Sequence, residues 1–354
     1  MRRPCAVLPL LALSCTPQQA LPIARSAAPA QANNGSPTST VAAPDRGTSP
    51  REPTPGAPVV LPTEFVANRI FVTPVMQDGR ALRLYTDSGG GAQFLFDDSV
   101  SRLGLPVRTI PGDEAPLRVT PIPAWAGDAF LPPPLAIHRP AVFQTSYLVS
   151  KERFLNEGTD GFLGQGWFGG RVWTFDYAAK RLSWRAPGDL PSHASGEEIR
   201  IHFPLADDGL PSMSFGRISI QVDGEDFDVL FDTGATTQLT TEALATIADG
   251  GPAVRATSFI TKSVLERWRA RHPDWRFVDK AEWKTGAAML EVPHISVASH
   301  EAGPVWFTLR PDTNFHDFMS GMMDARVEGA LGGDALRYFR VTVDYPHGRA
   351  VFQQ

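Results

Sequence analysis

Cysteine is almost missing from this chain. Of 354 residues only Cys5 and Cys15 carry a thiol, and both lie in an N-terminal apolar segment. The body therefore has no disulfide and no thiol nucleophile. Excess positive charge is missing too: the formal net charge is -5, and no Lys/Arg run or basic stripe occurs. That excludes the electrostatic footprint of a nucleic-acid partner. The apolar run Ala6–Ser14 is too short to span a bilayer. His294, His300 and His316 are neither at helical i, i+4 spacing nor accompanied by cysteines, so the eight histidines form no metal signature. Neither a Gly-Lys-Ser/Thr phosphate cradle nor a Gly-Xaa-Ser-Xaa-Gly elbow is found. No metal and no cofactor is expected.

The N-terminus is informative. Met1-Arg2-Arg3 followed by Ala6–Ser14 reads as a secretory signal over residues 1–20. Cys15 stands where a processed lipoprotein carries its lipid, but the residues before it depart from the usual box. Membrane attachment through a lipid on Cys15 and ordinary cleavage nearby both stay open. Residues 21–61 are rich in Pro, Ala, Ser and Thr, and the first aromatic residue is Phe65. Such a stretch cannot bury enough apolar surface to offset its ordering entropy, so a disordered tether is expected. The expected location is the cell envelope, periplasm or exterior.

The folded part carries a motif twice in matching surroundings. Asp87-Ser88-Gly89 follows Leu82–Thr86, and Asp232-Thr233-Gly234 follows Phe227–Phe231. Nine residues before each Asp stands an Asp-Gly turn, Asp78-Gly79 and Asp223-Gly224. Each copy later has an acidic-Gly-apolar-apolar-Gly run, Asp160–Gly164 and Glu328–Gly332, and twelve residues beyond comes Asp-Tyr, Asp176-Tyr177 and Asp344-Tyr345. One such tripeptide is commonplace; matched offsets on both sides mark a repeated unit. The division expected is lobe 1 over 62–185, a linker over 186–196 and lobe 2 over 197–354. Pro and Gly punctuate short apolar runs at turn-like spacing, which favours an all-β fold.

With these residues the chain resembles the aspartic proteases, as two retropepsin-like halves fused into a pepsin-like chain. The resemblance covers about residues 65–354. It implies two similar β-barrel lobes with short helices, a cleft between them, and a fused monomer acting on a peptide or protein substrate. It implies catalytic Asp87 and Asp232, supported by Ser88, Gly89, Thr233 and Gly234, with the two hydroxyls crossing to the other lobe's motif. The alternative is an inactive binding module on the same fold. The family usually has Ser or Thr directly after the motif Gly; here Gly90 and Ala235 stand there, and neither side chain can donate a hydrogen bond to a carboxylate. The dyad should therefore hold its proton to less acidic pH.

Smaller expectations concern loops. Helices are expected over Asp97–Leu103 and Thr241–Ile247, since both copies read Gln six residues after the motif Asp. From motif Asp to the last Gly of the later run is 77 residues in lobe 1 and 100 in lobe 2. The extra length is expected within Thr261–Lys284, as a helix that either packs outside lobe 2 or shapes the cleft. Trp125 is a candidate hairpin tip over the cleft or a core residue, and Phe315–Met323 a candidate pocket lining or core. Gly164–Gly169 matches a dinucleotide fingerprint formally, but Arg171–Phe175 after it reads as a strand, not the helix that motif must open.

Overall fold

The computed structural model describes residues 57–112, 115–127, 131–135, 141–153, 158–185 and 197–354. The expected signal segment, Cys15 and the linker 186–196 lie outside the described residues, as does most of the expected tether. The folded body starts earlier than expected: Val59–Val60 pairs antiparallel with Arg181–Arg185, and Leu61 is buried. These apolar residues find a sheet edge that composition alone does not reveal.

The chain is all-β, built as two lobes with few short helices. In lobe 1 the motif strand Leu84–Thr86 runs parallel to Gly161–Leu163, which pairs antiparallel with Phe94–Phe96, itself parallel to Ser146–Ser150. Lobe 2 repeats the scheme. Glu225–Phe231 runs parallel to Gly329–Leu331, which pairs antiparallel with Ser258–Thr261, parallel in turn to Val305–Arg310. Both Asp-Gly turns fall where expected, with Gly79 at φ 86° and Gly224 at φ 76°, values that glycine adopts without a Cβ clash. The expectation of barrels needs correction. The eight-stranded sheet of lobe 1 ends at Thr63–Val66 and Arg108–Ile110, and the nine-stranded sheet of lobe 2 at Phe277–Val278 and His300–Ala302; neither closes on itself. Strand number and patterning do not fix closure, which depends on tilt and stagger.

A six-stranded sheet joins the lobes. Its middle pair is Val172–Asp176 with Arg340–Asp344, the two segments that end in the duplicated Asp-Tyr. Thr174 stands opposite Thr342, and their hydroxyls are 3.0 Å apart and buried. Trp167, Phe168, Trp173 and Phe175 pack beside this sheet in the main apolar core. The formal dinucleotide match is a buried single-turn helix, Gln165–Phe168, followed by a strand.

Gly164 and Gly332 have matching duties. A Cβ on Gly164 would meet the Gly91 carbonyl oxygen at 1.9 Å, and one on Gly332 the Thr257 oxygen at 1.8 Å. Only glycine lets these strands end so close to the segment that leads into each lobe's inner strand.

The lengthening of lobe 2 is not where the sequence suggested. Leu95 and Ile260 are the equivalent residues, opposite Gly161 and Gly329. Leu95 is eight residues past Asp87, whereas Ile260 is twenty-eight past Asp232. The insertion is the hairpin Thr236–Gln238/Val254–Ala256 with helix Thr241–Ile247, which Thr240 caps by accepting from the Ala243 amide. The helix equivalent to Asp97–Arg102 is Lys262–Arg271, each following its lobe's inner strand. Val264, Leu265 and Trp268 of the latter are buried, and Trp268 meets Phe227 and Phe307 edge-on. The insertion packs through Leu239, Ala243 and Ile247 onto Val278, Met289 and Trp306.

Asp334, on the short helix after Gly332, accepts the Trp306 amide at 2.7 Å. Burial pushes its carboxyl up to about 6 from 3.8. A folded value raised above the unfolded one gives stability that is complete below about pH 4 and lost as pH rises through 6. Asp334→Asn keeps an acceptor for Trp306. It is expected to remove this loss, gaining about 2–3 kcal/mol over wild type at pH 8 and little at pH 4. Denaturant unfolding at both pH values checks this, and a pH-independent difference would refute it.

Candidate active site

Both motif strands end at the lobe junction. Each delivers its Asp through a main-chain bond to the duplicated strand beside it: Asp87 N to Leu163 O and Asp232 N to Leu331 O, both 3.0 Å. Each Asp then bends over its own turn, with Gly89 N donating to Asp87 Oδ1 and Gly234 N to Asp232 Oδ1, both at 2.9 Å. The glycines are pressed against the opposite carboxylate. A Cβ on Gly89 would lie 2.5 Å from Asp232 Cγ, and one on Gly234 2.1 Å from Asp87 Cγ.

The hydroxyls cross the junction. Ser88 Oγ donates to Phe231 O at 2.8 Å and accepts from Thr233 N at 3.0 Å, while Ser88 N donates to Thr233 Oγ1 at 3.1 Å. All are buried, so each bond replaces water that cannot reach the atoms. The structure thus brings all six sequence-selected residues together.

Asp87 is 5% exposed and Asp232 2%. Their carboxyl groups are hydrogen-bonded to one another. Burial, then the charge of Asp232, then that shared bond raise Asp87 well above the ordinary carboxylate range. Burial also raises Asp232, against the bond from Asp87 and the amides of Gly234, Ala235 and Gly89, which stabilise its charged form. Two acids this close cannot both ionise cheaply, so the pair shares a proton and titrates as a unit. Chemically, such a pair can take a proton with one carboxylate while giving one with the other.

Phe162 explains the departure at Gly90. A Cβ there would sit 2.2 Å from Phe162 Cζ and 2.8 Å from Asp87 Cγ. The ring occupies the space a serine would need. Phe94 stacks on Phe162 at 5.2 Å, which holds it in place.

Of the two expectations for Trp125, the described residues bear out packing against the core. Trp125 bridges Met76, on the arm of the Asp78-Gly79 hairpin, and packs partly buried against the main core. Phe315, Met319 and Met323 are buried with Leu230 and Ala235, beside the lobe 2 motif, with Met322 partly exposed against them. The sequence reading missed Tyr85, whose hydroxyl reaches the lobe 2 motif. Its signal was a polar ring where the other copy has Leu230. Among the described residues, no three His, Cys, Asp or Glu side chains gather as metal ligands.

No protein-family model matches the chain, and no curated protein matches it in sequence. Among solved structures it is similar to conglutin gamma, a basic 7S globulin from lupine seeds, with a TM-score of 0.44 and 11% identity over 85% of this chain and 95% of that one. It is similar to basic 7S globulin from soybean, with a TM-score of 0.41 and 11% identity over 84% and 95%. A retropepsin-like aspartic protease from Rickettsia conorii aligns over 45% of this chain and 94% of its own, with 14% identity and a TM-score of 0.26. By its duplicated strand order, the chain has a fold of two similar all-β lobes.

Proposed function

We propose that the protein is an aspartic endopeptidase in which Asp87 and Asp232 activate a water against a peptide bond. One observation carries this reading: two buried carboxyl groups share a hydrogen bond at a lobe junction, each on its own copy of one turn. The ionised member of the pair takes the water's proton. The protonated member polarises the scissile carbonyl and then helps the amine leave. The chemistry asks for no metal or cofactor from the chain. The substrate is a peptide or protein, the working form a monomer, and the site of action the cell envelope or exterior, with Cys15 as the lipid-bearing residue if the chain is anchored.

The test is cleavage of a mixed peptide library by the mature domain, beside its Asp232→Asn variant. Cleavage lost in the variant supports the proposal. Binding without cleavage by either protein would replace it with a peptide-binding module.

The carboxyl environment also sets a pH window. Activity needs one proton on the pair, and both groups are raised by burial, so both limbs of the profile move up. The kcat/KM optimum is expected at about pH 4–6. It is measured on a peptide that does not itself ionise in that range. An optimum below about pH 3 would show that the main-chain amides outweigh burial.

A further inference from the structure

Tyr85 lies two residues before Asp87, where lobe 2 has Leu230. Strand alternation puts both on the face of their motif Asp. Leu230 stays inside its lobe, packed with Ala235, Phe259 and Met319. Tyr85 sets its ring beside Phe71 and Phe162, at 5.1 and 6.0 Å between centroids, and sends its hydroxyl into lobe 2. There it donates to Gly234 O at 2.7 Å and is hydrogen-bonded to the Thr236 hydroxyl, also at 2.7 Å. Thr236 Oγ1 stands 3.0 Å from the same carbonyl, closing a partly buried triangle. Gly234 is the residue pressed hardest against a carboxylate: its added Cβ would fall 2.1 Å from Asp87 Cγ, against 2.5 Å for Gly89 and Asp232. Besides the reciprocal Ser88 and Thr233 contacts, the duplicated frameworks thus have one fastening that lobe 1 supplies and lobe 2 does not repeat.

We infer that Tyr85 is a positioning residue: its hydroxyl clamps the lobe 2 turn at Gly234 against Asp87 and so fixes how the two carboxyl groups face each other. The inference rests on the catalytic role proposed above for Asp87 and Asp232. The clamp acts on the lobe 2 backbone, so it should govern turnover more than substrate affinity. It also keeps water from the Asp87 side of the pair. The titratable groups that act on the dyad are Tyr85 on the motif strand and Tyr177 after the central sheet strand, while Arg69, on the strand beside the motif strand, acts on Tyr85. Burial pushes both phenols up, so neither titrates in mild acid.

Tyr85→Phe keeps the ring and removes the hydroxyl. One buried hydrogen bond corresponds to about a tenfold change, so kcat should fall about tenfold while KM stays within about twofold. With Gly234 released and Asp87 better solvated, the upper limb of the kcat/KM profile should move to lower pH. Thr236→Val should act in the same way, Thr236→Ser should restore wild-type behaviour, and the double variant should be no worse than Tyr85→Phe. Lower thermal stability with kcat and the pH profile unchanged would overturn the inference. A second readout needs no turnover. Raised carboxyl groups make wild-type stability fall as pH rises above about 4, and in Tyr85→Phe that fall should be smaller and end at lower pH. Identical Tm-against-pH curves would overturn the clamp even if wild type cleaves nothing. A shifted curve in an inactive protein would support the clamp while removing the peptidase reading.

Discussion

Asn at either position 87 or position 232 is expected to lower kcat/KM by about 10⁴-fold or more, and Asn at both to cost little beyond either alone. The pair works as one unit. Removing either carboxyl leaves a partner that can accept a proton or donate one, but not both in sequence. The fold should survive, because the turns are held by main-chain bonds to Leu163 and Leu331 and by the crossed Ser88 and Thr233 contacts, none of which needs a charge. Stability gives the opposite sign from activity. Asp87 has a folded value raised by burial, so it favours the folded state below about pH 4 and opposes it as pH rises through the raised value. Asp87→Asn should therefore melt at or above the wild-type temperature at pH 7. Turnover by a single Asn variant at more than a hundredth of the wild-type rate would refute the mechanism.

Truncating Glu282 to Ala is expected to cost about 3–5 kcal/mol, the largest stability effect of any single change considered. Glu282 and Arg310 are each 3% exposed and form two parallel bonds, Arg310 Nη1 to Oε2 at 3.0 Å and Nη2 to Oε1 at 2.9 Å. The hydroxyls of Thr237 and Thr285 add further donors, and the Arg310 guanidinium lies 4.0 Å from the Phe259 ring centroid. Thr237 belongs to the insertion, Glu282 to the turn 279–288 and Arg310 to the sheet, so this one carboxylate fastens three segments. Glu282→Ala leaves a buried cation unpaired, and the melting temperature should fall by roughly 6–15 °C. Glu282→Met with Arg310→Met should be milder than Glu282→Ala, since an apolar pair strands no charge. A loss under about 1 kcal/mol in Glu282→Ala would mean that water reaches Arg310.

Much of the site was legible because its constraints are local. Asp-Gly at a hairpin tip, Asp-Ser/Thr-Gly on a turn and Gly164/Gly332 beneath it each demand a residue type at a fixed offset, and duplication made the offsets conspicuous. What was hidden depends on contacts distant in sequence. Gln93 and Gln238 share an offset from their Asp, which suggested that Thr241–Ile247 matches Asp97–Arg102. The parallel pairing of Ser258–Thr261 with Val305–Arg310 shows instead that the hairpin Thr236–Gln238/Val254–Ala256 and the helix it carries are the extra segment. Parallel partners leave no turn between them for a sequence to announce. Tyr85 was hidden for a related reason. Its ring suits an apolar strand, and only the hydroxyl's partners in the other lobe, 149 and 151 residues away, distinguish it from core.

The Thr174–Thr342 contact at the middle of the shared sheet has a consequence for biosynthesis. These residues are 168 positions apart. At the usual 5–20 residues per second, a nascent chain waits on the order of ten to thirty seconds between making one strand and making its neighbour. Lobe 1 can assemble its own sheet during that interval, yet Val172–Asp176 keeps one edge of unpaired amides and carbonyls until Arg340–Asp344 emerges. Such an edge is a template for foreign strands. Translation rate and early capture of this one segment therefore control how much of the chain reaches the native state, whatever the final stability of the folded protein.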